Sequence, residues 1–412
     1  MKLCALAPWW QKKRERQQAS GFASLRETRI SLFVLLFLFG TVVSAQIRIR
    51  LFTDQNPESV ILSVTSGEYQ LDSFNGDTLR ISTGEMVLIS KFSGRLAVKI
   101  RNSPGFTADS ILFSGLTEDV SFSLLTAGPA PVRQFYKGDL HCFPDLGTIL
   151  MINTCDAEEY IAGVVRAEGG TGKGTEYLKT QAIIARTYMY KYADRHVHDN
   201  FNLCDDTHCQ AFKGLTDDQA VILAATETDG LVIIDRDSVL IMSAFHSNCG
   251  GETAAAADVW LTGLPYLRKV MDPYCSGSGN AGWQTTVSRN RWIGLFRDHG
   301  FAGQTEDLSQ FRFMQNSRME DYKAGSFTIP LSTLRTELDL RSTFFSVIPL
   351  EDSIILKGKG YGHGVGLCQE GAMVMSAKGF DYRKIIDFYY PGVMISEIKN
   401  AKLITKEFNV RH

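Results

Sequence analysis

Three groups of residues in this chain have types and spacings that can do chemistry. The first centres on Glu168, near the end of "CDAEEYIAGVVRAEGG", Cys155 to Gly170. Ile161, Val164, Val165 and Glu168 fall at i, i+3, i+4 and i+7, which is one face of a helix. An acid that closes an apolar stripe is desolvated, and desolvation raises a carboxyl pKa. The negative end of the helix dipole acts in the same direction. A carboxyl that keeps its proton near neutral pH can serve as a general acid. Gly169 and Gly170 stop the helix and leave open backbone beside the acid. The competing reading is a solvated glutamate on the last turn, the usual fate of this residue type.

The second group is "HVHDNFNLCDDTHCQAF", His196 to Phe212. His198, Cys204, His208 and Cys209 can supply a Cys₂His₂ tetrahedral set, with His196 as a substitute. Thiolates with imidazoles suit zinc, and four protein ligands close the site, so the ion would be structural. It would pin a loop with little apolar content of its own. A Cys204–Cys209 disulfide flanked by surface histidines is the alternative.

The third group is a pair of glycine-containing loops. "FHSNCGGETA", Phe245 to Ala254, is a polar run after an apolar strand, with two glycines to turn it. "GKGYGHGVGLCQEGA", Gly358 to Ala372, is too glycine-dense for a helix or a plain strand, and it carries no Walker sequence. Either loop alone reads as a tight structural turn. Two loops with one histidine each point to a cleft. Its candidate substrate-binding residues are His246, Ser247, Gly250 and Gly251 from the first loop, and Tyr361, His363 and Gln369 from the second. Cys249 with His363 is also the raw material of a cysteine hydrolase, although a Cys249–Cys275 disulfide competes for that thiol.

The elements that must position these groups form an α+β arrangement. From Gln46 to Arg133 the pattern is strand-like, with β-branched runs separated by Ser/Gly/Asn/Asp clusters. This predicts a β-rich accessory region over 46–133. "TAGPAPVRQ", Thr126 to Gln134, is the linker candidate, and 134–412 is expected to form a second domain that carries the three groups. Within it, "YKGDLHCF" and "TILMIN" predict a hairpin around Pro144 to Gly147. Helices are predicted at 157–168, with Asp156 and Glu159 as a capping box, then at about 175–194 and near 217–228. "GLVIID" and "VLIMSAFHS" read as strands, and "GAMVMSAKG" and "DYRKIIDFYYPGV" as two short helices. The absence of a regular βαβ alternation favours α+β.

Residues 30–45, "ISLFVLLFLFGTVVSA", follow a basic stretch that holds Lys12, Lys13, Arg14, Arg16, Arg26 and Arg29, and end in a plausible signal-peptidase sequence. Residues 1–45 therefore read as a signal peptide, or as an uncleaved anchor if the apolar run stays. The chain is expected to be exported, to the periplasm or cell envelope. Beyond residue 45 the chain carries 36 basic and 43 acidic residues, which argues against nucleic acid as a partner. Seven cysteines remain there; an odd count leaves at least one sulfur free or otherwise engaged.

Taken together, "YKGDL", "EEYIAGVVRAE", "LKTQAIIARTYMY", "DDTHCQAFKG", "AFHSNCGGET", "LRSTFFSV" and "GKGYGHGVGLCQEGA" resemble the stage II sporulation protein D (SpoIID) family. That family also includes the LytB amidase enhancers. The resemblance runs from Tyr136 to Val393. It implies a mixed helix/strand catalytic domain and a lytic transglycosylase acting on peptidoglycan glycan strands, with a preference for strands stripped of stem peptides. It puts the catalytic glutamate at Glu168 and zinc on His198, Cys204, His208 and Cys209. The LytB members imply a second possibility, a non-catalytic wall-binding protein that activates a cell-wall amidase. The sequence departs from the family at "EGG", where members carry "EMP". A lytic reaction needs one carboxyl as acid and then base, whereas a hydrolase needs two. The single acid in the helix motif therefore favours the lytic reaction.

Overall fold

The computed structural model describes residues 45–402 except 75, 77, 102 and 261. Apart from Ala45, the expected leader lies outside the described residues. Among the described residues no helix is long and apolar enough to cross a membrane.

Alternating apolar residues build two sheets. In Gln46–Leu51 the side chains of Ile47, Ile49 and Leu51 are buried and their neighbours are not, the period of a half-buried strand. The seven-stranded sheet runs Leu203–Cys204, Gln46–Leu51, Thr148–Asp156, Asp139–Asp145, Ile111–Gly115, Glu68–Asp72, Thr78–Ser82. The six-stranded sheet runs Arg133–Lys137, Ser121–Thr126, Ser59–Ser66, Met86–Phe92, Arg95–Ile100, Phe106–Ala108. The predicted hairpin is present, with Asp139–Asp145 paired to Thr148–Asp156.

The pairing departs from the domain boundary expected at 133/134. Gln46–Leu51 pairs antiparallel with Thr148–Asp156, and Leu203–Cys204 adds to its other edge. The expected linker is the connection of a hairpin, because Arg133–Lys137 folds back on Ser121–Thr126. Residues 46–133 therefore share both sheets and one apolar core with residues C-terminal to them. The reason is physical: Pro and Gly punctuate a hairpin turn as readily as a linker, and periodicity identifies a strand without naming its partner.

Helix α1 (Ala157–Val164) leaves the central strand directly. The Asp156 carboxylate caps it, accepting from the backbone N–H of Glu158 at 2.8 Å and Glu159 at 3.1 Å. The Glu159 carboxylate pairs with Lys137 Nζ at 3.1 Å. Helices α2 (Thr175–Lys191) and α3 (Gln219–Glu227) pack beside it. Arg186 of α2 is fully buried and locks the three together. It donates to both oxygens of Glu158, to the Ala225 carbonyl at 3.1 Å and to the Leu231 carbonyl at 3.1 Å. A buried cation is tolerable only when paired and hydrogen-bonded in this way.

Beyond α3, Leu231–Ile234 is a strand as expected, but "VLIMSAFHS" is regular only at Phe245–His246, which pairs parallel with Leu367–Cys368. Helix α4 (Ala256–Trp260) comes next. Residues 282–359 then form a second apolar core that the sequence pattern did not announce. Gly282–Ser288, Ser353–Lys359 and Phe345–Pro349 make a three-stranded sheet. Helices α5 (Arg289–Asp298) and α6 (Leu331–Glu337) cover it around Trp292, Phe296, Phe311 and Tyr322. Its last strand feeds the glycine loop, which leads into α7 (Gln369–Ala377) and α8 (Tyr382–Tyr389), both as predicted.

Candidate active site and loop metal cluster

Helix α1 does not run straight to Glu168. It widens into a single π-turn, Val165–Gly169. Such turns are rare and frequently mark functional sites. Val164 and Val165 are buried, Arg166 and Ala167 are exposed, and Glu168 is half-buried. Gly170, at φ 78° and ψ 173°, ends the turn in a conformation only glycine adopts easily. Burial pushes the Glu168 carboxyl above its ordinary value, and a hydrogen bond from the Ala211 backbone partly opposes this. That bond runs from the Ala211 N–H to Glu168 Oε1 at 2.8 Å.

The loop that supplies Ala211 is pressed onto α1. A Cβ on Gly163 would lie 2.4 Å from the Phe212 ring and 2.5 Å from the Gly214 carbonyl, so the approach requires glycine. On the other side, Gln369 Nε2 donates to the Glu168 carbonyl at 2.9 Å and to Gln181 Oε1 at 3.5 Å. The Tyr177 hydroxyl donates to the Gly169 carbonyl at 3.3 Å. Gln369, expected to bind substrate, thus braces the backbone of the acid.

Next to Gln369 sits a carboxylate that the sequence reading did not single out. Glu370 accepts from Asn248 Nδ2 at 2.6 Å, from Asn280 Nδ2 at 2.5 Å and from the Ser278 hydroxyl. Both Glu168 and Glu370 help push the Tyr177 phenol up, after burial, so both carboxylates reach one side chain electrostatically. Only the local "CQEGA" run hinted at Glu370; its three donors come from segments about 90 to 120 residues away.

The two glycine loops do meet. Asn248 and Tyr361 exchange backbone hydrogen bonds at 3.1 and 2.8 Å. Ser247 gives its carbonyl to the Glu370 N–H at 3.0 Å, and its hydroxyl accepts from Asn280 at 3.3 Å. Tyr361 is exposed, with Arg341 over its ring at 5.8 Å. Gly250 is committed to packing: a Cβ there would lie 2.6 to 3.0 Å from Lys359 and Gly360. At Gly251 nothing lies within reach of an added Cβ.

The histidines hold the loops together. His246 is buried and its Nδ1 donates to the Val365 carbonyl at 3.1 Å. His363 packs against it edge-on, with ring centroids 5.6 Å apart, and against Trp260 at 5.2 Å. The Val365 N–H donates to His363 Nδ1 at 3.0 Å, and the ring also bonds the Phe245 backbone. Burial pushes the His363 pKa down to about 4. The ring of this substrate-binding candidate is therefore neutral and tied to backbone on both sides. Cys249 is fully buried, its thiol on Asp272 at 3.2 Å and near Cys275 at 3.3 Å. Access of substrate to that thiol, which a cysteine hydrolase needs, is blocked.

The His/Cys segment converges as expected, with one change of member. Donor atoms of His196, Cys204, His208 and Cys209 all lie within 4.8 Å of one another. Cys204 Sγ and Cys209 Sγ are each 3.5 Å from His208 Nδ1, and Cys209 Sγ is 3.5 Å from His196 Nε2. His196, held against the Phe201 ring at 4.7 Å, takes the place expected of His198, which lies on the exposed face of a short 3₁₀ turn, Val197–Asp199. Tetrahedral zinc with Zn–S of ~2.3 Å and Zn–N of ~2.0 Å needs donors about 3.3 to 3.8 Å apart, so the set fits. The neighbouring Asp205 ties this loop to the central sheet, accepting from Phe52 N at 2.6 Å and from Thr53 N and Oγ1 at 3.1 and 2.6 Å.

The chain is similar in sequence to known proteins. Residues 145–234 match the family model described as stage II sporulation protein SpoIID. A protein of Brachyspira hyodysenteriae is 28% identical over 88% of this chain and 95% of its own length. The amidase enhancer of Bacillus subtilis is 26% identical over 57% of this chain, which spans 40% of that relative. The stage II sporulation protein D of Bacillus amyloliquefaciens is 30% identical over 264 residues, 58% of this chain and 74% of that protein. Those matches, the family model spanning the Glu168 turn, establish that the chain belongs to the SpoIID family.

Proposed function

We propose that the chain is a peptidoglycan lytic transglycosylase, cleaving MurNAc-GlcNAc glycan strands to 1,6-anhydro ends with Glu168 as general acid and then base. Strands stripped of stem peptides are the expected substrate. The observation that carries this reading is the half-buried Glu168 carboxyl on its π-turn, raised in pKa by desolvation and given one backbone donor.

Protonated Glu168 delivers its proton to the glycosidic oxygen as the bond from C1 of the muramoyl ring breaks. The carboxylate left behind takes the proton of the C6 hydroxyl as O6 bonds to C1, so the glutamate ends as it began. The Ala211 N–H supports the negative charge between the two steps, and a donor aimed where charge develops needs no reorganisation. Gln369 and Tyr177 hold the backbone of the turn, a positioning role. Glu370 would be the second carboxylate of a hydrolase, but three side-chain donors hold it.

Zinc on His196, Cys204, His208 and Cys209 is part of the same proposal. It would supply structural cross-linking of the loop that carries Ala211, two residues beyond Cys209. The glycan substrate requires work outside the cytoplasm, in the periplasm or cell envelope.

A second reading, a non-catalytic glycan-binding protein that stimulates a cell-wall amidase, draws on the relative named amidase enhancer. The two are separated by incubating the purified chain with glycan strands and reading the products by mass spectrometry. A lytic enzyme makes 1,6-anhydro ends; an enhancer binds strands and leaves them whole.

A further inference from the structure

Far from the loop cluster in sequence, three more cysteines and an aspartate meet. Cys249, Asp272, Cys275 and Cys368 are all buried, and one donor atom from each lies within 4.8 Å of every other. We propose that these four residues bind a second metal ion, zinc by the softness of the ligands, in a closed Cys₃Asp site that clamps the two substrate loops to α7.

The geometry selects a single ion. Tetrahedral zinc with Zn–S of ~2.3 Å places its sulfurs about 3.8 Å apart, and four donor atoms that all lie within 4.8 Å of one another can close on one such ion. Cys249 and Cys275 have their sulfurs 3.3 Å apart, too far for the ~2.05 Å of a disulfide.

The surroundings are those of charged sulfur and oxygen. Backbone N–H groups of Cys249 and Gly371 donate to Cys368 Sγ at 3.3 and 3.4 Å. The Asp272 carboxylate accepts from the Tyr389 hydroxyl at 2.9 Å and the Tyr274 N–H at 2.8 Å, which fixes its orientation. Such outer hydrogen bonds orient metal ligands. Three thiolates, a carboxylate and a divalent ion leave a net negative charge. The buried Arg318 guanidinium lies alongside, donating to the Cys249 carbonyl at 2.7 Å and the Glu252 carbonyl at 2.6 Å. A buried cation beside the cluster offsets part of that negative charge, as the burial of charge requires.

The site also explains the odd cysteine count. Cys204 and Cys209 belong to the loop cluster, these three to the second site, and Cys142 and Cys155 are buried in the central sheet. Position gives the ion a use. Cys249 lies in the first loop, Cys275 in the segment that carries Ser278 and Asn280, and Cys368 caps α7 directly before Gln369 and Glu370. One ion would fix all three segments around the Glu168 turn.

The test is first-row metal analysis of the full chain, exported and purified without chelator. Zinc on both sites predicts about two ions per chain. Cys275→Ser should leave one, Cys204→Ser should leave the other, and combining them should leave none. In Cys204→Ser, X-ray absorption of the remaining ion should show three sulfurs and one lighter ligand. If Cys275→Ser fails to fold, the unaltered chain still decides: a mercurial thiol titration should release two ions. One ion per chain, with a Cys249–Cys275 disulfide in non-reduced peptide maps, would overturn the proposal. So would a second ion that survives Cys275→Ser or shows fewer than three sulfurs.

Discussion

The backbone N–H of Ala211 donates to the Glu168 carboxylate across a gap of 43 residues, at 2.8 Å. The donor comes from the loop that carries the His/Cys cluster, and the acceptor from a π-turn at the end of α1. The geometry of the proposed acid and the order of the loop are thereby coupled.

The pKa shift of Glu168 has a stability signature. Its folded value is raised, chiefly by desolvation, above the ordinary 4.5. The folded chain therefore binds this proton more tightly than the unfolded chain does. The associated stability is fully present below the unfolded pKa and lost as pH rises through the folded one. Glu168→Gln has no such titration and keeps an oxygen for Ala211. Its melting temperature should gain on the wild type as pH rises from below 4.5 towards neutrality. A gap that stays constant with pH, by differential scanning fluorimetry, would mean the carboxyl is solvated.

Zinc binding proposed for the loop cluster should depend on His196 and not on His198. His196→Ala removes one of four ligand positions and should cost about 10–100-fold or more in zinc affinity, taking second-sphere losses as the lower bound. His198→Ala should leave affinity within a few-fold. Competition with a chromophoric chelator measures both, and a reversed order would restore the ligand set expected from the sequence alone.

Much of this site was legible in the sequence, and the failures share a cause. The apolar stripe, the Asp156 cap, the hairpin and the helices α2, α3, α7 and α8 arise from local periodicity and capping chemistry. The His/Cys density in 196–209 announced a cluster because its ligands are close in the chain. Choosing His196 over His198 needed the 3₁₀ turn, where two residues decide which ring faces inward. The π-turn was illegible because one extra residue in a helical turn leaves no compositional mark. The pairing of Gln46–Leu51 with Thr148–Asp156, and of Cys249 with Cys368, joins segments about 100 or more residues apart. Nothing in either partner's own neighbourhood records such contacts.

Gly163 should resist substitution. Gly163→Ala places a Cβ against the Phe212 ring and the Gly214 carbonyl, so the loop must move or the helix must bend. Overpacking of this kind costs about 1–3 kcal/mol. Chemical denaturation should show that loss, and turnover of the folded fraction should fall as well, since the same loop carries Ala211. A variant as stable and active as the wild type would contradict the packing described.

Gln369→Ala should act on turnover. It leaves the Glu168 carbonyl without its side-chain donor, a loss of about 1–3 kcal/mol for a buried acceptor. If Gln369 positions the turn, kcat should fall and the pH profile should move while KM for glycan stays near its wild-type value. A raised KM with unchanged kcat would return Gln369 to direct substrate binding.

The mechanism turns on Glu168 passing one proton to the glycosidic oxygen and recovering it from the C6 hydroxyl. The decisive measurement incubates the purified chain and Glu168→Gln with peptide-stripped glycan strands and weighs the products. The wild type should give 1,6-anhydro ends, and Glu168→Gln a rate lower by at least ~10²–10⁴ with strand binding intact. Reducing ends from the wild type, intact strands from the wild type, or an undiminished rate in the variant would contradict this mechanism.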